Sequence, residues 1–172
     1  MRFILILCLL LLATPVQAAV DIKNMKAGLC MDPSPDAKAD GWVCHETADI
    51  QVTDQGRCVY DGKTRHCTWV GIAFDYVADT GRTVLQCVSE SSRPTSHGNP
   101  RGVVAENTRS NAFELPLEGR QGHFFNPMYY LFAVRAMDDS VLVDTMTCSH
   151  EGKVVFRNTF NVHFPTAPEG AP

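Results

Sequence analysis

Hydrophobic and polar residues alternate along much of the chain with a period of two, the spacing of a half-buried β-strand. Ile50-Gln51-Val52-Thr53 alternates, and the run from Cys67 to Val77 gathers Trp69, Ile72, Phe74, Tyr76 and Val77, all strand-favouring types. Further strands are predicted over 58–60, 83–89, 103–105, 112–117, 129–137, 141–148 and 154–164. Val141, Val143, Thr145 and Thr147 fall on one face of their strand, and Phe156, Phe160 and Phe164 on one face of the last. Polar turn formers separate these runs at 61–64, 78–82, 118–122, 138–140 and 149–153. Two longer stretches, MDPSPDAKADG (31–41) and SSRPTSHGNPRG (91–102), read as irregular loops. No stretch carries the i, i+3, i+4, i+7 spacing of a long amphipathic helix. The pattern therefore predicts an all-β fold, an antiparallel β-sandwich, with a small β-barrel as the alternative.

The N-terminus changes the compartment. MRFILILCLLLLATPVQA holds one positive charge, an apolar run from Phe3 to Ala13, a helix-breaking Pro15 and a small-residue cleavage site. That is the three-part pattern of a secretory signal peptide, and the run is shorter than the roughly 20 residues that span a bilayer. Cys8 does not follow the Leu-small-Gly/Ala sequence of a lipoprotein signal. The expected organisation is a signal peptide over 1–18, an irregular N-terminal segment over 19–48, the β-sandwich over 49–165 and a flexible tail over 166–172. After cleavage no second apolar run could insert in a membrane. Loss of Arg2 makes the formal net charge of −4 one unit more negative, so no basic patch suggests nucleic acid. Localisation is expected to be periplasmic or extracellular.

Export makes the remaining six cysteines, Cys30, Cys44, Cys58, Cys67, Cys87 and Cys148, a disulfide framework. Three of them lie in CHETADIQVTDQGRCVYDGKTRHC with His45 and His66. If Gly62-Lys63 is the tip of a hairpin with a type II′ turn, Cys58 faces Cys67 as a non-hydrogen-bonded pair, with Cα atoms about 4.5 Å apart. That separation suits a bridge. If Asp61-Gly62 is the tip, Cys58 faces Arg65 instead. The Gly62-Lys63 register is the favoured expectation. Zinc or copper binding is disfavoured because neither CxxC nor HxxxH occurs, and adjacent Cys-His side chains on a strand point to opposite faces. Without CxxC a redox dithiol is disfavoured too. No metal and no cofactor is expected.

Two segments resemble an immunoglobulin-like domain: TVLQCVS (83–89) is similar to its second strand, and VDTMTC (143–148) with the following hairpin to its sixth and seventh. The resemblance implies a sandwich with Cys87 and Cys148 bridging the two sheets through the core. No Trp falls between those cysteines, and Met146 stands where a corner tyrosine would be. With Cys58–Cys67 and Cys87–Cys148 paired, Cys30 and Cys44 remain for each other; the alternative is Cys30–Cys67 with Cys44–Cys58.

The chain has no GxSxG, HExxH, P-loop or GxGxxG. Asp138 and Asp139 lie in a turn without EF-hand spacing. His97 sits in the 91–102 stretch, where a functional loop residue is the sharper reading and a polar surface loop the plainer one. GHFFNPMYYLF (122–132) is the most aromatic segment. Alternation sends Phe124 and Phe125 to opposite faces, so Phe124, Phe125, Tyr129 and Tyr130 either fill the sandwich or offer rings for stacking on sugars or a partner. The expected function is a non-enzymatic exported module that binds a protein or envelope polymer. A secreted hydrolase or enzyme inhibitor, and a periplasmic metal binder using His45 and His66, are the alternatives.

Overall fold

A computed structural model describes residues 19–30, 43–99, 102–135 and 140–167, with side chains of 97–99 and 102–105 left aside. The predicted signal peptide, the whole 31–41 stretch, Asp138, Asp139 and the end of the tail lie outside the described residues. Ten strands follow in chain order: β1 (Val20–Cys30), β2 (Val43–Glu46), β3 (Asp49–Gln51), β4 (Gly56–Tyr60), β5 (Lys63–Ala78), β6 (Arg82–Asn99), β7 (Gly102–Glu118), β8 (Gln121–Leu131), β9 (Leu142–His150) and β10 (Lys153–His163). One sheet runs β2-β1-β5-β4, with β8 on the other side of β5; the second runs β3-β10-β9-β6-β7. Every pairing is antiparallel except β3 with β10. The fold is the all-β sandwich of two largely antiparallel sheets that alternation predicts.

The core lies between the sheets. Val70, Ile72, Phe74 and Tyr76 of β5 meet Leu85 and Cys87 of β6, Leu115 and Leu117 of β7, Leu142, Met146 and Cys148 of β9, and Phe156, Phe160 and Val162 of β10. Phe74 is the hub, with the Phe124 and Phe156 rings 5.2 and 5.3 Å away. Of the two faces of β9, the one turned inward carries Leu142, Met146 and Cys148, while Val141 and Val143 stay partly exposed.

Several expectations are corrected. The segment 19–48 is not irregular throughout, since β1 pairs along β5 from Val20↔Ala78 to Leu29↔Val70 and β2 pairs with β1. Its alternation is broken by a register shift between Lys23 and Lys26, with Asn24 at φ 50°, which hides the strand from a strict period-two reading. The 91–102 loop is instead a continuation of the β6–β7 ladder, with Thr95↔Thr108, His97↔Ala105 and Asn99↔Gly102 in register. Pro94 and Gly98 are absorbed at register shifts between Glu90 and Thr95 and around His97, where bulges tolerate them.

The β4–β5 hairpin turns at Asp61-Gly62, not Gly62-Lys63. Asp61 and Gly62 have φ of 50° and 65°, the two positive values of a type I′ turn, whose twist matches the flanking strands. Tyr60 therefore pairs with Lys63, Cys58 with Arg65 and Gly56 with Cys67. The expected direct opposition of Cys58 and Cys67 is overturned by a one-residue shift of the turn, which moves Cys58's partner two positions along β5.

Cys87 and Cys148 do join, with an S–S distance of 2.00 Å, but not between the sheets. They are register partners on adjacent strands β6 and β9 of one sheet. The bridge staples a ladder rather than spanning the core.

Asn126-Pro127 is strand, not loop, and the strand predicted over 129–137 ends at Leu131. The Phe132 amide donates to the His66 carbonyl, so even-numbered β8 residues turn their amides to β5 and Pro127 faces the other way. By the same alternation, starting from the Gly119 amide on the Gly81 carbonyl, Pro116 of β7 also faces away from its partner. Among the described residues neither β7 nor β8 pairs on its second side. Each exposed edge thus carries a proline where an outward amide would be, which discourages edge-to-edge pairing. A Pro116→Thr/Pro127→Thr variant is expected to self-associate more strongly than the parent at equal concentration in sedimentation velocity. An unchanged distribution would show that the edges need no such protection.

Candidate functional site

The outer face of the first sheet carries a second apolar cluster at one end and a polar group at the other. Cys67 and Trp69 of β5, Cys58 of β4 and Tyr129 of β8 are buried there, with Cys30, Tyr60 and Leu131 packed against them. The Trp69 and Tyr129 rings meet edge to face at 5.2 Å. The Trp69 indole donates to the Arg57 carbonyl at 3.0 Å and the Tyr129 hydroxyl to the Val59 carbonyl at 2.8 Å. Both rings therefore brace the backbone of β4. Burial first, and then the neighbouring Cys58, Cys67 and Tyr60 groups, push the Tyr129 hydroxyl up to about 12.

Next along β5, Gly71 lies under Phe125: a Cβ at Gly71 would fall 2.5 Å from the Phe125 ring and 3.4 Å from the Cys30 Sγ. Glycine here permits the ring to lie against the strand. At the far end Asp75 accepts from the Asn24 amide at 2.7 Å and is 2.9 Å from His123 Nδ1. Those two contacts, Asn24 first, hold the Asp75 carboxyl below its ordinary value of 3.8. A depressed folded-state value means the pair contributes at neutral pH and loses its contribution as pH falls. Asn24→Ala is expected to raise the Asp75 midpoint in an NMR titration; no movement would show that the amide contact does not persist in solution. Among the described residues no hydroxyl or thiol is bonded to His123.

The four aromatic residues singled out from the sequence divide between faces as alternation requires. Phe124 stacks on Phe74 in the core. The Tyr130 hydroxyl donates to Asp144 Oδ2 at 2.8 Å, and Ser89 donates to Asp144 Oδ1 at 2.7 Å. Burial, then the Asp144 charge and hydrogen bond, hold the Tyr130 hydroxyl well above its ordinary value. Tyr129 is buried on the outer face, which leaves Phe125, half-buried, as the ring most nearly presented there. The structure does not unite the four into one platform. His97 is placed by its backbone opposite Ala105; its side chain lies outside the described part.

The cysteine-histidine stretch is separated by strand geometry. The Arg57 guanidinium donates to His66 Nδ1 at 2.7 Å, directly across the hairpin. His45 is exposed on β2 opposite Leu29. Among the described residues no three His, Cys, Asp or Glu side chains converge to hold a metal ion. Sequence reasoning missed Asp144 and Asp75. Asp144 carried a readable signal, a carboxylate between Leu142 and Met146 on the inward face of a strand; Asp75 carried none.

No family model matches the sequence and no curated protein matches it. Among solved structures, the chain is similar to the crystal structure of an immunoglobulin-like protein from Pseudomonas aeruginosa. The two are 13% identical, the match covers 86% of this chain and 99% of that one, and the TM-score is 0.45.

Proposed function

We propose that the protein is an exported, non-enzymatic binding or structural module of the periplasm or extracellular space, recognising a protein or an envelope polymer. The observation that supports this reading best is the use of its reactive side chains. Tyr130, Ser89 and Asp144 tie one sheet to the other, Trp69 and Tyr129 brace β4, and Cys87 with Cys148 staples a ladder. Chemistry-bearing groups are spent on rigidity, as in a scaffold that works through its surface. The signal-like first 18 residues and the disulfide both accord with an oxidising compartment.

The surface we assign is the outer face of the first sheet around Phe125. Purified protein immobilised and exposed to envelope extract is expected to retain a specific protein or glycan, and Phe125→Ala to lose at least tenfold in retention while remaining folded. Retention of nothing, or equal retention by the variant, overturns the assignment. Turnover on a broad hydrolase panel would replace it with the enzymatic alternative, and stoichiometric zinc or copper uptake with the metal-binding one.

A further inference from the structure

The corrected hairpin register bears on the four cysteines outside the β6–β9 staple. Cys58 and Cys67 are locked in one regular ladder, Cys58 opposite Arg65 and Cys67 opposite Gly56. They are diagonal neighbours, and Cα atoms on such a diagonal stand about 7–8 Å apart. A disulfide seldom spans more than about 6.8 Å between Cα atoms, so a bridge within this hairpin would require its strands to move.

Cys30 is placed differently. It lies one residue past the last β1–β5 pair, Leu29↔Val70, and a register shift between Leu29 and Cys30 skips Cys44, so that Cys30 pairs with Val43. Bulges of this kind re-aim a side chain. Its sulfur lies 3.4 Å from where a Gly71 Cβ would be, so it leans over β5 and away from β2. It packs on the cluster that contains Cys58 and Cys67. Cys44 follows Val43, the residue paired with Cys30, and occupies the same end of the sheet.

The geometry points to a cross-clamp: two disulfides join the β1–β2 hairpin to the β4–β5 hairpin, Cys30 with one of Cys58 and Cys67 and Cys44 with the other. Each bond forms between two sulfurs as two protons leave and two electrons pass to an oxidising disulfide partner of the export compartment. β1 and β4 pair with β5 over separate stretches, 70–78 and 63–67. The clamp closes that junction, over Trp69 and Tyr129. It rests on the exported reading only for the supply of oxidant.

Lys38, Arg57, Lys63 and Arg65 let trypsin place all four cysteines on separate peptides. Non-reducing mass mapping of protein secreted in an oxidising compartment is expected to find links only between peptides bearing Cys30 or Cys44 and peptides bearing Cys58 or Cys67. A Cys30–Cys44 or Cys58–Cys67 link overturns the clamp. Cys44→Ser provides an independent reading: alkylation under native-to-mildly-denaturing conditions is expected to label Cys58 or Cys67, and label on Cys30 overturns the clamp. If only Cys87–Cys148 is linked, the clamp fails while export stands. If all six cysteines are reduced, both fail.

Discussion

Cys87→Ala/Cys148→Ala is expected to be the most destabilising change in the described molecule, lowering the unfolding free energy by about 4 kcal/mol. The bridge closes a loop with a sequence separation of 61, so its loss returns a large conformational freedom to the unfolded chain. A second cost adds to the first, because both sulfurs are buried beside Leu85 and Met146, and truncation leaves a void. Equilibrium denaturation in urea measures the loss as a lower midpoint. The in-sheet position gives the result a further meaning. A bridge between sheets would be needed to hold the layers together, whereas this one reinforces a β6–β9 ladder that already pairs from Gln86↔Ser149 to Ser91↔Asp144. The double variant should therefore keep its sandwich, with native-like circular dichroism at low temperature. Loss below 1 kcal/mol would show that the ladder alone suffices, and complete unfolding would show that the ladder depends on the bridge.

What the sequence made legible was whatever depends on the period of two. The sandwich, the split of Phe124 from Phe125, and the separation of His66 from Cys67 all follow from side chains alternating across a strand. What escaped depends on one-residue choices. Asp61-Gly62 and Gly62-Lys63 are both acceptable hairpin tips, and the type I′ turn wins because Asp tolerates a positive φ there and its twist suits the strands. That single step moved Cys58 from Cys67 to Arg65. Composition misled in the other direction at Pro94, Gly98 and Pro127. Turn formers there suggest loop, although bulges and outward-facing edge positions accommodate them within strands. The immunoglobulin-like likeness carried the architecture correctly and the bridge incorrectly. Register decides which strands two cysteines join, and likenesses of six or seven residues do not specify register.

Asp144→Ala is expected to cost about 3 kcal/mol, because it strips two hydroxyl donors of a shared charged acceptor inside the sandwich. Ser89 is buried, and Tyr130 projects from the opposite sheet, so neither donor gains full hydration when the carboxylate goes. Asp144→Asn keeps an acceptor and should cost less than the alanine change. Tyr130→Phe removes one donor and should cost about 1–2 kcal/mol. A cycle of Tyr130→Phe with Asp144→Ala should then give a coupling of about 1–2 kcal/mol, while additive losses would mean that the two sheets are not joined through this pair. The same contact is expected to contribute to alkaline sensitivity. Tyr129 and Tyr130 both have folded-state values raised above the ordinary 10.0. A raised value leaves stability intact below the unfolded value and removes it as pH climbs through the folded one, since only the unfolded chain ionises in that interval. Unfolding free energy should therefore hold steady up to about pH 10 and fall beyond it. Tyr129 and Tyr130 should ionise late, together with loss of structure, in an absorbance titration. In Tyr130→Phe one late tyrosine remains and the alkaline fall becomes shallower; an unchanged slope would place the pH sensitivity elsewhere than between the sheets.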